Sequence, residues 1–304
     1  MTKGGLRAAG EYCFSLVKQA DFDNYLSGLL IPKAYRGAYF ALRAYNVELA
    51  TMKDNSNSNA AAARIRFQWW RDTIENIYNG GGVEGQQYLK HPVAYALSYY
   101  CKEHGLTRHW LERSLDARQK DALGGHHETM DDLENYAEYG HSSILYLILE
   151  SMNVRDPQSM YMASHIGVCS GLTTALRGFP YHVSKRQVYI PMETIRKRSI
   201  TAGQILSGPP ETAQLREALQ DCIYEVASQA YGHLDRARSL IEDKQDATKI
   251  VHKDAIHICA PAVRSALFLE TLRINNFNPY HKEIHDKRVT YQLLLLKMRF
   301  FKSF

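Results

Sequence analysis

Paired cysteines are missing from this 304-residue chain. Its five cysteines are odd in number and far apart in sequence: Cys13, Cys101, Cys169, Cys222 and Cys259. Disulfide frameworks use even sets of cysteines, and zinc sites use close pairs such as CxxC. The pattern therefore argues against a disulfide-stabilised protein and against a zinc site, and it favours a reducing compartment. We expect the thiol of Cys169, which lies in an apolar stretch, to be a buried structural group rather than a nucleophile.

Long apolar runs are also missing, since none approaches the roughly 18 residues that span a bilayer. The most apolar piece, "YQLLLLKMRFF" at residues 291–301, predicts a last core helix. Residues 1–10 are basic and carry no acid before Glu11, and we interpret them as a tail that is the remnant of a targeting segment. The net charge of +5 is spread along the chain, which favours a solvated surface over a nucleic-acid partner.

Strand patterns are nearly absent, with residues 188–190 as the only candidate. Apolar residues instead recur at spacings of three and four, as expected for helices packed on a core. The first long stripe consists of Ala38, Leu42, Tyr45, Leu49 and Met52. Further helices are predicted near residues 60–78, 92–104, 107–122, 130–152, 157–177, 211–242, 252–275 and 281–301. The sequence predicts an all-α fold, with one domain at residues 11–304.

Five blocks carry a resemblance that covers most of the chain. They are "FALRAYNVELATMKD", "FQWWRDTIENIYNG", "LDARQKD", "LENYAEYGHSSILYL" and "ALRGFPYHVSKRQVYIP". In this order they resemble the squalene/phytoene synthase family. The resemblance implies an isoprenoid-synthase helical fold around a central pocket, in which active members condense two prenyl diphosphates head to head. Ionising a diphosphate requires Mg²⁺, so two facing helices must each present carboxylates three or four residues apart.

The carboxylates that this chemistry needs are largely absent. The acidic positions of the first family motif fall on Ala50, Thr51 and Asp54, of which only Asp54 is a carboxylate. Those of the second motif fall on Gly178 and His182, and neither is a suitable Mg²⁺ ligand. No Asp or Glu occurs anywhere in residues 157–192. The sequence therefore predicts a pseudoenzyme that holds no metal and no cofactor.

The second motif also predicts a change of backbone. Pro180 follows Gly178 by two residues, and both are poor residues for a helix interior. We expect the helix to end at Arg177 and the helical backbone beyond it to be lost. Arg177 has two open interpretations, an anion contact such as a lipid phosphate or a structural salt bridge. Tyr189 is predicted to pack at the rim of the pocket.

Two other groups of residues have both a chemical and a structural interpretation. The segment "HHETMDD", residues 126–132, carries metal-ligand residue types in His126, His127, Asp131 and Asp132, but Thr129 and the acids suit helix capping better. Aromatic residues either form core and interface or line a residual pocket: Trp69, Trp70, Tyr95, Tyr99 and Tyr100. We assign Asp116 and Asp121 to the helix surface or to structural hydrogen bonds.

Three segments, "SGLLIPKAYRGAYFALRAYNVELA", "ENYAEYGHSSILYL" and "ALRGFPYHVSKRQVYIP", resemble a branch of the family whose members serve in the assembly of mitochondrial respiratory complex I. That resemblance implies a location on the matrix side of the inner membrane, with peripheral membrane association. It implies complex I subunits or other assembly factors as partners, and no nucleic acid. Two alternatives stay open: an isoprenoid or lipid-binding protein, and an active Mg²⁺-dependent head-to-head prenyltransferase.

Overall fold

The computed structural model describes residues 3–56, 60–80, 88–124, 126–242, 251–285 and 288–301. Within these ranges the chain forms helices, turns and irregular segments and contains no β-strand, which confirms the predicted all-α fold. Residues 188–190, the strand candidate, are an irregular segment between two short helices.

Fifteen α-helices lie in the described ranges. They are α1 (Lys3–Ala20), α2 (Phe22–Gly28), α3 (Arg36–Ser56), α4 (Ala60–Asn79), α5 (Pro92–His104), α6 (Arg108–Ala122), α7 (Met130–Ala137), α8 (Ser143–Ser151), α9 (Pro157–Arg177), α10 (Phe179–Ser184), α11 (Met192–Lys197), α12 (Ala202–Leu206), α13 (Ala213–Glu242), α14 (Ala260–Ile274) and α15 (Arg288–Phe301). A π-helical stretch, Glu138–Ser142, joins α7 to α8, and 3₁₀ turns occur at Lys253–Ile258 and Lys282–His285.

The chain divides into two compact units. The first comprises Met1–Gly125, Ser142–Ala163 and Val251–Ile258, and the second comprises the remainder. Residues 3–10, which the sequence suggests as a tail, form the first turns of α1, and Ala9 is buried there. The domain boundary at residue 11 stays a prediction.

In the first unit, α3 is the central helix. It packs against α1, α4, α5, α6 and α8. The predicted apolar stripe of α3 is confirmed, because Leu42, Tyr45 and Leu49 are fully buried. The hydroxyl of Tyr45 donates to the carbonyl oxygen of Leu111 at 2.9 Å, which satisfies a buried polar group and ties α3 to α6. The side of α3 that carries Tyr45 is therefore held against α6.

A buried carboxylate of the first unit caps α6. Glu150 accepts from the backbone N–H of Thr107 at 2.8 Å and from its hydroxyl at 2.6 Å. The carboxylate also pairs with Arg155 at 3.0 Å. A negative charge at a helix N-terminus satisfies unpaired N–H groups and the helix dipole, so this contact fixes where α6 begins.

In the second unit, α13 packs against α11 and α14, and α15 packs against α14. Tyr291, Leu295 and Met298 are buried at spacings of four and three, which confirms the last core helix. The hydroxyls of Thr173 and Ser265 lie 2.9 Å apart and join α9 to α14. None of the described helices combines the length and the apolar character needed to cross a membrane.

Candidate functional site

The first-motif positions on α3 offer few ligand oxygens. Ala50 presents a methyl group. The hydroxyl of Thr51 lies 3.0 Å from the carbonyl oxygen of Val47 and 3.1 Å from that of Glu48, to which it donates. It is thereby directed back onto its own helix. Asp54 falls within α3, but its side chain lies outside what the structure describes.

A lysine neutralises the acid that faces this motif. Lys53 Nζ lies 2.7 Å from Asp121 Oδ1 on α6, and these side chains are only 17% and 5% exposed. Lys53 follows Ala50 by three residues, so both lie on one side of α3. The predicted structural hydrogen bond of Asp121 is confirmed. Asp116 instead pairs with Arg71 at 2.7 Å on the exposed surface of α6, as predicted for a surface residue.

The second-motif segment departs from the sequence expectation in one respect. The helix α9 ends at Arg177, as predicted. The predicted loss of helical backbone beyond it is wrong, because Phe179–Ser184 form the short helix α10. Gly178 keeps near-helical angles, with φ −77° and ψ 0°, and Pro180 falls in the first turn of α10. A proline there loses no hydrogen bond, since first-turn N–H groups have no helical acceptor.

At the second motif, the side chains of His182 and Tyr189 pack against other rings, and no carboxylate lies among them. The centroids of His182 and Tyr189 lie 4.4 Å apart, and Tyr189 is 9% exposed. The ring of His127 lies 5.7 Å from Tyr189, and that of Tyr136 lies 6.0 Å from it. A side chain added at Gly178 would overlap the imidazole of His182. We call His127, Tyr136, His182 and Tyr189 the ring cluster, and its packing leaves the motif closed on itself.

Hydrogen bonds connect the residues after Tyr189 to the segment that contains His127. Met192 N–H donates to His127 O at 2.9 Å, and Glu193 N–H donates to Glu128 O at 3.0 Å. The carboxylate of Glu193 accepts from Met130 N–H at 2.9 Å. These contacts tie the residues that directly follow "VYIP" to the segment at the start of α7.

Arg177 is half buried at the end of α9, and its two interpretations stay predictions. The basic residues that follow it face solvent: Lys185 and Arg186 are exposed. Lys185 Nζ lies 5.6 Å from the centroid of the Tyr181 ring, a contact typical of surface cation–π pairs. The local basic character of the segment is therefore partly a solvated surface.

The segment at residues 126–132 is a helix cap, as predicted. Thr129 accepts from Asp132 N–H, and the Asp132 carboxylate accepts from Thr129 N–H at 3.1 Å, which together form a capping box. His127 turns into the ring cluster. Across the described residues, no group of three or more His, Cys, Asp or Glu side chains is arranged to hold a metal ion.

The aromatic residues named from the sequence differ in burial: Trp70 is buried, Tyr95, Tyr99 and Tyr100 are half-buried, and Trp69 is exposed. Trp70 packs edge-on against Tyr45, with 5.1 Å between the ring centroids. All five cysteines are buried and unpaired. Burial raises the pKa of the Cys169 thiol to about 12, which suppresses its thiolate and confirms the structural interpretation.

A polar cluster within the second unit was not expected from the sequence. The Nδ1 atoms of His165 on α9 and His233 on α13 lie 2.8 Å apart. His233 Nε2 lies 3.5 Å from the carboxylate of Glu134. Burial, His233 and Arg236 together lower the pKa of His165 to about 4. In the sequence, the only sign of this cluster is His165, a histidine within the apolar run "MASHIGVCS". Its position in the run does not indicate which side chain it contacts.

The fold and the motif positions together define the family. A family model for squalene/phytoene synthase matches residues 17–293, and the chain belongs to this family. The structure of a dehydrosqualene synthase in complex with ligand is similar, with a TM-score of 0.78 at 18% identity over 98% of both chains. That likeness confirms the isoprenoid-synthase helical fold.

Two curated relatives are much closer in sequence. "NADH dehydrogenase (ubiquinone) complex I, assembly factor 6" of Homo sapiens is 34% identical over 291 residues, which cover 96% of this chain and 82% of that protein. Its homolog in Dictyostelium discoideum is 34% identical over 296 residues, which cover 96% of this chain and 78% of that protein.

Proposed function

We propose that this chain is a non-catalytic member of the squalene/phytoene synthase family that takes part in the assembly of mitochondrial respiratory complex I. The observation that carries the proposal is the pairing of two facts. The chain aligns over 96% of its length with relatives named as complex I assembly factors. It also carries no acid at Ala50, Thr51, Gly178 and His182, four of the five positions where the family resemblance predicts ligands for Mg²⁺.

The packing around the two motif segments supports the proposal that these segments now serve to hold the fold together. Lys53 neutralises Asp121 on the first-motif side, and the ring cluster fills the second motif. A carboxylate that already pairs with an ammonium has its charge compensated without a metal, and packed rings add to the stability of the core. The protein would then act by binding complex I subunits or other assembly factors. We place it in the mitochondrion, on the matrix side of the inner membrane.

Complementation tests the assembly role. Cells that lack their own copy of the gene are supplied with this chain, the Asp54→Ala variant or a core-disrupting Trp70→Ala variant. We expect the first two to restore assembled complex I on native gels with in-gel activity, and the third to fail because it opens a core cavity. Absence of rescue by the unmodified chain, when present in mitochondria, would refute the assembly role.

Purified protein tests the non-catalytic role separately. With Mg²⁺ and prenyl diphosphates of several chain lengths, we expect no release of inorganic diphosphate above a blank without protein. Release that depends on Mg²⁺ and disappears in Asp54→Ala would instead identify an active prenyltransferase. Protease protection in intact mitochondria tests the location. Cofractionation with complex I subunits tests the partner.

A further inference from the structure

Glu48 on α3 is a largely buried carboxylate to which no described group donates a hydrogen bond. Its side chain is 25% exposed, and among the described residues it makes an ion-pair contact with His91 alone, the residue before α5. His91 Nε2 lies 3.8 Å from Glu48 Oε1, which is beyond hydrogen-bond distance. A carboxylate withdrawn from water is costly unless donors or a cation compensate its charge.

The imidazole of His91 does not supply that compensation. Burial lowers the pKa of His91 and outweighs the opposite effect of the Glu48 charge, so the ring is neutral at neutral pH. The buried Nδ1 of His91 has no hydrogen-bond partner among the described residues, so no acceptor stabilises a second proton on the ring. Trp69 and Trp70 pack edge-on against this ring, with 5.2 Å and 5.7 Å between centroids. Within the described chain, Glu48 therefore has no cationic partner.

Exposed apolar side chains lie around this carboxylate. The ring of Trp69 on α4 packs against His91 and is still 37% exposed. Burial and the charge of Glu48 raise the pKa of the Tyr12 hydroxyl, which places Tyr12 of α1 near the same carboxylate, and Tyr12 is exposed. Ile65, one turn before Trp69 on α4, is also exposed. The first unit thus presents an acid and two exposed rings on one surface.

This surface is distinct from the side of α3 that carries the first motif. Glu48 precedes Ala50 by two residues, and two residues of an α-helix turn the side-chain direction by about 200°. The exposed charges nearest to Trp69 along α4 are Arg66 and Asp72, three residues to either side, and they offset each other. The charge that stays uncompensated is that of Glu48.

The chemistry of the surface defines the cation that fits it. Because Glu48 lacks donors, the cation must donate hydrogen bonds, which a quaternary ammonium such as choline does not do. The flat exposed ring of Trp69 suits a planar guanidinium, which stacks on aromatic faces. A free small molecule would leave Tyr12 and Ile65 in water, whereas a polypeptide would cover them. Trp, Tyr and Arg are also the side chains that contribute most to protein interfaces.

We propose that Glu48 and Trp69 bind an arginine side chain of a partner polypeptide, with Tyr12 and Ile65 at the rim of the contact. The guanidinium pairs with the Glu48 carboxylate and stacks on the Trp69 ring. The bound arginine supplies the donors and the positive charge that His91 does not. This inference rests on the proposed assembly function, which supplies the partner polypeptide.

Short overlapping peptides that cover the complex I subunits and assembly factors test the site on the purified full chain, with calorimetry for each peptide that binds. We expect at least one arginine-containing peptide to bind. Replacing its arginine by citrulline, a neutral group of similar shape, should weaken binding by at least about tenfold, and so should Glu48→Gln. The matched control Glu103→Gln, which removes an exposed acid from α5 of the same unit, should change binding by less than about twofold.

Three results would overturn the proposal: no peptide bound at about 1 mM, equal binding by the unmodified chain and Glu48→Gln, or equal binding of the arginine and citrulline peptides. If Glu48→Gln does not fold by circular dichroism, Trp69→Leu at its exposed position replaces it, and the same loss is expected. Complementation separates this inference from the assembly role. Rescue by the unmodified chain without peptide binding refutes the site alone, whereas Glu48-dependent peptide binding without rescue supports the site and refutes the assembly role.

Discussion

The ring of His182 packs against the ring of Tyr189, with 4.4 Å between their centroids and 50° between their planes. The family resemblance predicts an acid of the second motif at the position of His182, and the structure shows a packed ring there. The imidazole also occupies the space into which a side chain at Gly178 would project. Gly178 and His182 are therefore coupled: the small residue makes room for the large one.

The first prediction concerns this coupling. Gly178→Ala should lower the free energy of unfolding by about 1–3 kcal/mol, because the added methyl group overlaps the His182 ring while the backbone at φ −77° tolerates alanine. The matched control is Gly232→Ala in the middle of α13, where an added Cβ meets nothing within 4 Å. It should stabilise the protein by roughly 0.5–1 kcal/mol. Urea denaturation measures both, and equal effects of the same sign would contradict the coupling.

A second prediction follows for restored acids. The double variant Gly178→Asp with His182→Asp would place two carboxylates one turn apart on helical backbone. We expect no Mg²⁺-dependent release of diphosphate, because Ala50 and Thr51 still provide no carboxylate on the first-motif helix. A coupled phosphate-release assay with geranylgeranyl diphosphate checks this. Measurable turnover would mean that the second motif alone was limiting.

The third prediction contrasts two ion pairs on α6. Asp121→Asn should lower the free energy of unfolding by about 3 kcal/mol, because Lys53 would keep a mostly buried charge without its partner. Asp116→Asn should cost less than about 1 kcal/mol, because its pair with Arg71 is exposed at 36% and 59%. Both substitutions remove one negative charge from the same helix. Similar losses in guanidinium denaturation would argue against the burial effect.

The fourth prediction concerns pH. The folded pKa of His165, about 4, lies below its usual value of 6.5, so the unfolded chain binds the proton more readily. The folded state is therefore fully favoured above about pH 6.5 and loses stability as the pH falls towards 4. One such group contributes at most about 1.4 kcal/mol per pH unit. Denaturation curves across this window measure the slope.

The control for the pH prediction uses two variants. His165→Asn should flatten the dependence of unfolding free energy on pH between 6.5 and 4, because it removes the group whose pKa shifts. His109→Asn, at an exposed position of α6, should leave the slope as it is in the unmodified chain. A slope that His165→Asn does not change would show that other groups govern acid stability.

Features that depend on residues close together in the sequence were predicted correctly. The stripe with Leu42 and Leu49 depends on helical spacing, and the capping box at Thr129 depends on residues three apart. The end of α9 at Arg177 was also predicted, but the new helix at Phe179–Ser184 was not. Pro180 is unfavourable in the interior of a continuous helix, but a new helix begins at Phe179 and places Pro180 in its first turn.

Long-range partners were beyond sequence reasoning. The Lys53–Asp121 pair joins residues 68 positions apart, and so do His165 and His233. A single sequence without its fold does not state which two distant side chains meet.

By itself, the sequence determined the all-α class and the family, and it predicted the loss of acids at the motif positions, because helical periodicity and residue types can be read directly from the chain. Only the tertiary structure decided what fills those positions: an ammonium against Asp121 and a ring against Tyr189. The physical reason is that burial and ion pairing depend on distances across helices, which packing sets and local sequence does not.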